Sequence, residues 1–345
     1  MAYLHFLETV DSCMRPIPLN LMTLYADLLQ SVELDDAMPG SIATKTVGKR
    51  KYVYATTKDG SARLEKYLGP ADDPKVQEEV QRYKHAAERA KSLKTTVSLL
   101  KQGRLPAPSL ALGKILEVVA NAGLFKRGMT LVGAAAYQTY PGVLGYYAPA
   151  ATLTTNDADL SLADFEASEE EEDIGSILKR ADQSFGPVWH ADDKLPKAFR
   201  ASNGFTVDLI TSYGRGRKSP VLVESLGCAA IPLTFQEFPT AETINTVALY
   251  GSGVLVRVPT PLRFAVHKLL VAQRRKPTEA AKKQKDLRQA LELIDIYLQI
   301  DESALQAELD SARSTGKAWQ TTINASLREI GRAARQGQLP LPIKR

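Results

Sequence analysis

The feature of the sequence that most constrains the fold is a predicted β-hairpin. Strand-forming runs at 199–202 and 205–210 flank Asn203-Gly204, a dipeptide that favours a tight turn between antiparallel strands. In the second run Asp208 stands between two apolar residues. Because successive strand residues face opposite sides, the apolar neighbours face a core and the carboxylate faces away. The chain is therefore expected to build a sheet with an acid on its non-core face.

A second strand with carboxylates on one face is predicted at 153–162. Asp157 and Asp159 are two residues apart, which puts both on one face and Ala158 and Leu160 on the other. Aligned carboxylates repel unless a cation neutralises them, and hard oxygen ligands favour Mg²⁺ or Mn²⁺. If the hairpin strand pairs beside this one, three carboxylates converge, enough for two divalent ions in a phosphoryl- or nucleotidyl-transfer site. An Asp-x-Asp pair alone is also common in turns and caps.

A strand–glycine–helix unit precedes these strands. The apolar run 129–132 ends at Gly133, and 134–140 is predicted to be the helix that follows. A small residue at this point lets backbone N–H groups approach a phosphate at the start of a helix.

The later helices add a lysine and an aspartate. Lys268 lies on the core-facing stripe of a helix predicted at 262–273, where it needs an anionic partner, either a triphosphate or an acid. Asp286 is predicted to open the next helix, 285–299, a position at which a lone aspartate is usually an N-cap. The remainder, 302–335, is also predicted to be helical.

Composition excludes several classes of protein. Apolar residues make up 44% and charged residues 24%, which is typical of globular domains. The two cysteines exclude a disulfide framework, and no apolar run approaches the ~20 residues of a membrane helix. The N-terminus lacks the pattern of a secretory signal. We therefore expect a cytoplasmic protein that does not contact a membrane.

The charge is distributed in blocks. Residues 41–104 hold 15 basic and 7 acidic side chains, residues 157–193 hold 2 and 12, and residues 257–290 hold 10 and 2. An acidic middle between basic segments suits a site that holds cations and attracts phosphate, although each block is equally explained as a solvated face.

The N-terminal part is predicted to contain a helix, a basic hairpin at 51–57 and 61–67, and a long exposed helix at 75–102. Tyrosines alternate with basic residues in the hairpin, which indicates either contact with nucleic acid or tyrosines packed on the following helix. Prolines and glycine after 102 indicate a boundary. The predicted domains are 1–105, 106–258 and 259–345, the last of them helical.

Taken in order, these motifs resemble the minimal nucleotidyltransferase superfamily, with its polymerase-β-like fold. More narrowly, residues 109–300 resemble a bacterial group related to AbiEii-type toxins. The resemblance implies an α+β fold with a mixed sheet flanked by helices, an N-terminal helix and β-hairpin module and a C-terminal helical region. It also implies an NTP substrate and Mg²⁺ or Mn²⁺.

The resemblance assigns roles residue by residue. Asp157, Asp159 and Asp208 match the metal-binding and catalytic acids. The residues matched to nucleotide binding are Gly133, Ala134, Lys268, Arg275 (or its neighbour Arg274) and Asp286. Two departures are visible: Ala134 replaces the serine of the Gly-Ser motif, and 141–151 lengthens the segment between the glycine and the acids.

The function expected from these motifs is transfer of a nucleoside monophosphate from an NTP to an acceptor. The acceptor is an RNA, such as tRNA, or a protein, and the toxin resemblance suggests a toxin–antitoxin or defence role with an antitoxin partner. Two alternatives remain. One is a glycosyltransferase that uses only the Asp-x-Asp pair, and the other is a non-catalytic fold member that binds nucleic acid.

Overall fold

The computed structural model describes residues 15–34, 40–60, 62–149, 155–168, 172–212 and 219–335. Within these residues the chain forms an α+β fold, in which a mixed sheet is flanked by helices. The predicted fold class is confirmed. The sequence observations on Cys13, on the extreme N-terminus and on part of the acidic run fall outside the described residues.

The N-terminal part is an antiparallel meander that one helix precedes and another follows along the chain, and the second of these helices packs on the meander. Helix α1 precedes the three strands β1, β2 and β3, and α2 follows them. Their bounds are Leu19–Glu33, Gly40–Val47, Arg50–Asp59, Ala62–Pro70 and Pro74–Gln102. The predicted helices and hairpin are confirmed, whereas β1 was missed because its Ser, Thr and Lys residues lack an apolar alternation. Asp73 caps α2 by accepting a hydrogen bond from the Lys75 N–H at 2.9 Å.

The hairpin tyrosines do not pack on the following helix, which corrects one of the two predicted interpretations. The face of β2 that contacts α2 carries Val53, which clusters with Val76 and Val80. Tyr52 and Tyr54, its neighbours in the strand, face the opposite side and are half-buried.

The main sheet runs in the order β4-β5-β8-β10-β9, with β7 also paired to β8 and β6 paired to β7. Strands β5 and β8 are parallel, as are β8 and β10, while β4–β5 and β10–β9 are antiparallel. The strand bounds, from β4 to β10, are Thr130–Val132, Asp157–Ser161, Gly186–Pro187, Ala198–Arg200, Thr206–Ser212, Val221–Val223 and Cys228–Leu233. The predicted hairpin appears as antiparallel β7 and β8, so it is confirmed.

Four further strands were not predicted from the sequence, and one of them, β6, is only two residues long. β10 is a short apolar run, and a short apolar run cannot be assigned to strand or helix by periodicity alone. β11 (Thr243–Ala248) pairs with the predicted strand β12 (Val254–Pro259) in a separate two-stranded sheet. β9 was missed for its length of three residues.

Helices cover the sheet and form the C-terminal part. From α3 to α11 their bounds are Leu110–Asn121, Gly133–Tyr137, Tyr140–Leu144, Ile174–Ala181, Glu237–Thr240, Pro261–Ala272, Ala280–Ile300, Glu302–Ser314 and Lys317–Arg335. The single helix predicted at 134–140 is instead two, because Pro141 starts a new helix. The helix predicted at 302–335 is also two, divided at Gly316, which has a φ of 154°. None of the helices in these described ranges has the length and apolar character of a membrane span.

A single hydrophobic core extends from α3, at Leu112, to α11, at Ile330, and includes residues on both sides of the predicted boundary at 258/259. A second cluster joins α1 to the end of α2 and to β11, through residues such as Leu28, Leu100 and Val247. The predicted domain boundaries therefore stay a prediction.

Candidate active site

A cavity of about 730 Å³ opens between the main sheet and the C-terminal helices. Its volume lies within the range of about 300–1,000 Å³ common to small-ligand sites. Strands β4, β5 and β8 supply one wall, and α8 and α9 supply another. All the residues singled out in the sequence line it: Gly133, Ala134, Asp157, Asp159, Asp208, Lys268, Arg275 and Asp286.

The sheet wall carries three carboxylates on two neighbouring strands. β5 and β8 pair in parallel with Asp159 opposite Asp208, and Asp157 lies two residues earlier on the same face. Ala158 and Leu160, on the other face of β5, are fully buried in the core. In the sequence analysis the three acids converge only if these two strands pair, and the structure shows this pairing. The alternation of side chains along each strand places the acids on the cavity side.

Within this group of carboxylates, neighbouring negative charges make ionisation less favourable. Burial, followed by the charge of Asp157 and then that of Asp208, raises the pKa of Asp159 to about 7, although Lys268 and Arg275 act in the opposite direction. Burial and the Asp157 charge also raise the pKa of Asp208. The sheet wall thus carries more negative charge than the surrounding protein neutralises.

Gly133 leaves the space that one carboxylate of the sheet wall occupies. Its φ of 65° is a left-handed conformation that glycine adopts without strain, and a Cβ there would collide with the Asp159 carboxylate. The glycine that the sequence linked to phosphate is thus also required for the position of Asp159. Thr155 orients the neighbouring acid, because its hydroxyl donates a hydrogen bond to Asp157 Oδ1.

The helical wall contains a buried ion cluster. Lys268 Nζ donates to Asp286 Oδ1 at 2.7 Å, and Arg275 Nε donates to Asp286 Oδ2 at 2.8 Å. Burial opposes the charge on Asp286, but the charges and hydrogen bonds of Lys268 and Arg275 outweigh it and lower its pKa. Of the two partners that the sequence allowed for Lys268, an acid or a triphosphate, the structure contains the acid.

Asp286 is not an N-cap, which corrects the helix start predicted from the sequence. α9 begins at Ala280, after the 3₁₀ turn Pro277–Glu279, so Asp286 lies in its second turn. This places Lys282, one turn earlier, on the same face of the helix.

The basic residues on this face were missed by sequence reasoning as a group. Lys282 and Lys285 line the cavity with Asp286. Burial, followed by the Lys268 charge, lowers the pKa of Lys285, while Asp157 and Asp286 counteract this effect. If the turn that begins at Pro277 had been recognised as the lead into the helix, the spacing of positions 282, 285 and 286 would have shown that these side chains share one face.

Aromatic residues stabilise the far side of the cavity. The Arg274 guanidinium lies 5.2 Å from the ring centre of Phe235, and that ring packs edge-on against Trp319 at 4.9 Å. Arg274 and Phe235 both line the cavity, as does His267. Burial, followed by the Lys268 charge, lowers the pKa of His267 to about 3.

Comparison with known proteins decides the family. A family model described as nucleotidyltransferase matches residues 111–314, which is more than half of the chain. The chain belongs to this nucleotidyltransferase family. No curated protein and no solved structure gave a match. The matched residues include every one of the predicted site residues, and the family implies an NTP as substrate.

The cavity has the donor chemistry that a hard divalent cation prefers. Asp157, Asp159 and Asp208 offer carboxylate oxygens, which Mg²⁺ and Mn²⁺ prefer. Across the described ranges, no three Asp, Glu, His or Cys side chains are already gathered closely enough to hold an ion. The three acids share the cavity without forming a finished cage, and the raised pKa of Asp159 reflects a charge that a cation would stabilise.

Proposed function

We propose that this chain is a metal-dependent nucleotidyltransferase that moves a nucleoside monophosphate from an NTP to an acceptor hydroxyl. One observation carries the proposal: three carboxylates and five basic side chains line the same cavity in a member of a nucleotidyltransferase family. The basic side chains are Lys268, Arg274, Arg275, Lys282 and Lys285. A nucleoside triphosphate with its cation presents the complementary charges.

The sheet wall is the part suited to cations. Asp157 and Asp159 would hold Mg²⁺ or Mn²⁺, and Asp208 would complete the set. When bound, the metal would polarise the phosphates and lower the pKa of the acceptor hydroxyl. Thr155 holds the Asp157 carboxylate in place, and Gly133 leaves the space that Asp159 occupies.

The helical wall is the part suited to the triphosphate. Lys282 is exposed at the cavity, and Arg274 presents a guanidinium that the Phe235 ring supports. Asp286 would repel a phosphate directly, so we assign it a positioning role: it fixes Lys268 and Arg275 in the wall. Gly133 and Ala134 line the cavity at the start of a helix, where their backbone N–H groups would contact phosphate oxygens.

The chemical step forms a bond between the acceptor oxygen and the α-phosphorus and breaks the bond from that phosphorus to the β-phosphate oxygen. The acceptor's proton passes to the Asp208 carboxylate, and pyrophosphate leaves. The positive side chains of the helical wall stabilise the charge that develops on the leaving group. Because this charge is greater in the transition state than in the bound NTP, these contacts contribute to the rate as well as to binding.

The test is transfer of label from each α-³²P-labelled NTP, with Mg²⁺ or Mn²⁺, to total RNA or to lysate protein. The Asp157→Ala/Asp159→Ala variant should lose at least about 10²–10³-fold of the transfer rate, the loss typical of removing an electrostatic stabiliser. Asp27→Asn, an exposed aspartate on α1, is the matched control and should keep full activity. Near-full activity in the double variant would refute the site.

The resemblance to AbiEii-type proteins extends the proposal to a toxin role. Under it, RNA, such as tRNA, or a protein accepts the nucleotide, and an antitoxin partner restrains the activity. Expression of the wild-type chain should arrest growth, whereas the Asp157→Ala/Asp159→Ala variant should not. Equal growth with both would remove the toxin role and leave the transferase proposal standing.

A further inference from the structure

The three-stranded sheet β1–β3 has a second face that the fold leaves uncovered. Val53 and its neighbours on the inner face pack against α2. On the outer face Tyr52 and Tyr54 are half-buried, and Tyr67 is 52% exposed. Three tyrosines on one accessible face are unusual enough to require an explanation beyond packing.

The three rings form one cluster. The Tyr67 ring centre lies 5.4 Å from that of Tyr54 and 6.1 Å from that of Tyr52. A β-bulge at Val53/Tyr54 shifts the register of β2 and β3, after which Tyr54 stands opposite Tyr67. The plane of the Tyr67 ring is inclined by 55° to that of Tyr54 and by 48° to that of Tyr52, so the rings contact one another at an angle. This arrangement is a stacking platform for planar groups.

The platform is surrounded by positive charge. Lys45, Arg50, Lys58 and Arg63 occupy the same face by their cross-strand pairing, and all four are exposed. Lys45 Nζ lies 4.3 Å from the centre of the Tyr54 ring. A basic rim around aromatic rings complements a partner with both planar bases and phosphates.

One acid lies on the described part of this face. Glu65 accepts hydrogen bonds from Lys45 Nζ at 2.7 and 3.0 Å. The pair is half-exposed, so water screens it and its strength is small. Glu65 therefore restrains Lys45 without closing the platform.

The sheet is fixed to the rest of the molecule at one end. Near the β2–β3 turn, buried Asp59 forms an ion pair with Arg180, whose Nε lies 2.9 Å from Oδ2, and accepts a hydrogen bond from Asn121 Nδ2 at 2.8 Å. The opposite end, around Val47 and Arg50, is exposed. The platform is thus rigidly attached and open at its basic tip.

We propose that this outer face binds single-stranded RNA. Bases stack on Tyr52 and Tyr67, and the basic rim contacts the phosphates; sequence-tolerant single-strand binding uses this combination. A duplex keeps its bases inside and offers no faces to the tyrosines. RNA displays unstacked bases in its loops and ends, where aromatic side chains recognise them. That the bound strand is also the acceptor of the nucleotide rests on the proposed function.

The test is fluorescence anisotropy with a labelled oligouridine of about 12 nucleotides, matching the site sizes of such surfaces. It uses the full chain without NTP or divalent cation, so it does not depend on catalysis. Tyr52→Ala/Tyr67→Ala should bind about tenfold or more weakly, the loss expected when stacked bases lose their platform. The matched control, Tyr52→Phe/Tyr67→Phe, keeps the rings and should bind within about twofold of wild type.

Charge variants test the rim separately and carry little risk to folding. Arg50→Gln should weaken binding and reduce the slope of log K against log salt by about one between about 50 and 200 mM salt. Glu65→Gln removes the acid and frees Lys45, so it should tighten binding. Circular dichroism of every variant checks that the fold is retained.

Three results would overturn the proposal. The first is equal RNA binding by the wild type and the alanine variant, and the second is preference for an RNA duplex or for single-stranded DNA. The third is the absence of RNA binding while a protein is nucleotidylated, which would make this face a protein contact. RNA binding without any nucleotide transfer would support this proposal and refute the proposed function, so the two fail separately.

Discussion

Asp286 is buried and Asp159 is half-buried in the walls of one cavity, and the protein treats their charges in opposite ways. Lys268 and Arg275 bond the Asp286 carboxylate, and its pKa is lowered. The nearest charges to Asp159 include Asp157 and Asp208, and its pKa is raised to about 7. The charge of Asp286 is therefore satisfied within the helical wall, whereas that of Asp159 gains stability from an added cation.

The largest effect, a loss in the free energy of unfolding, should come from breaking the ion cluster of the helical wall. Asp286→Ala leaves Lys268 and Arg275 without their shared carboxylate, and loss of one partner of a buried ion pair costs about 3–5 kcal/mol. Urea unfolding should show this loss in the free energy of unfolding. The control is Asp310→Ala, because Asp310 pairs with Arg313 at the surface, 60% exposed, and should remain within about 1 kcal/mol of wild type. Equal losses in both variants would contradict the assignment.

On the sheet wall, removing a carboxylate charge is expected to increase the stability of the fold instead of lowering it. A carboxyl whose pKa is raised in the folded state destabilises the fold as pH rises from about 4 to about 7. Asn does not ionise, so Asp159→Asn should increase the metal-free stability at pH 8 by about 1–4 kcal/mol. Below pH 4 the variant and the wild type should converge. Unfolding curves at pH 4 and pH 8 test this, and a destabilised variant at pH 8 would show that the charge of Asp159 is already satisfied.

A third prediction tests how strongly burial and positive charge in the helical wall oppose the protonation of a histidine there. Burial and the nearby Lys268 charge hold the pKa of His267 near 3, so the folded state keeps this imidazole neutral. Unfolded histidine takes up a proton below about pH 6.5, and stability is lost as pH falls from there towards 3. At pH 5 this contribution reaches about 2 kcal/mol. His267→Gln should show a flatter acid limb in pH-dependent thermal unfolding; an unchanged limb would mean that His267 is protonated in the fold.

The smallest effect, on the transfer rate, should come from removing the hydrogen bond that holds one aspartate of the sheet wall in place. Thr155→Val removes the hydroxyl that orients Asp157 and should lower the transfer rate by about fivefold, corresponding to about 1 kcal/mol for one hydrogen bond. Thr155→Ser retains the hydroxyl and should restore most of the rate. A Val variant as active as the wild type would show that Asp157 needs no support.

The sheet wall was largely readable from the sequence because its signals are local. Two-residue spacing places Asp157 and Asp159 on one face, and Asn203-Gly204 makes the turn before the strand of Asp208. The register that sets Asp159 opposite Asp208 is set by tertiary pairing and could be stated only as a condition. The role of each residue remains a proposal.

The helical wall was harder to read. Its ion cluster joins residues 18 and 11 positions apart, and no local pattern pairs Lys268 or Arg275 with Asp286. The start of α9 was placed too late because the Pro277–Glu279 turn was not recognised, which hid Lys282. Strand β10 was hidden by its short apolar run. In each case, tertiary contacts decided what local propensity left open.

The measurement that tests the central claim most directly is calorimetric titration of Mn²⁺ into the metal-free protein at pH 8. Wild type should bind Mn²⁺, and Asp159→Asn should bind it at least about tenfold more weakly, a difference of about 1.4 kcal/mol. Asp286→Asn, if folded, should bind Mn²⁺ much as wild type does, because that carboxylate already serves Lys268 and Arg275. Equal Mn²⁺ affinity in wild type and Asp159→Asn would contradict the account.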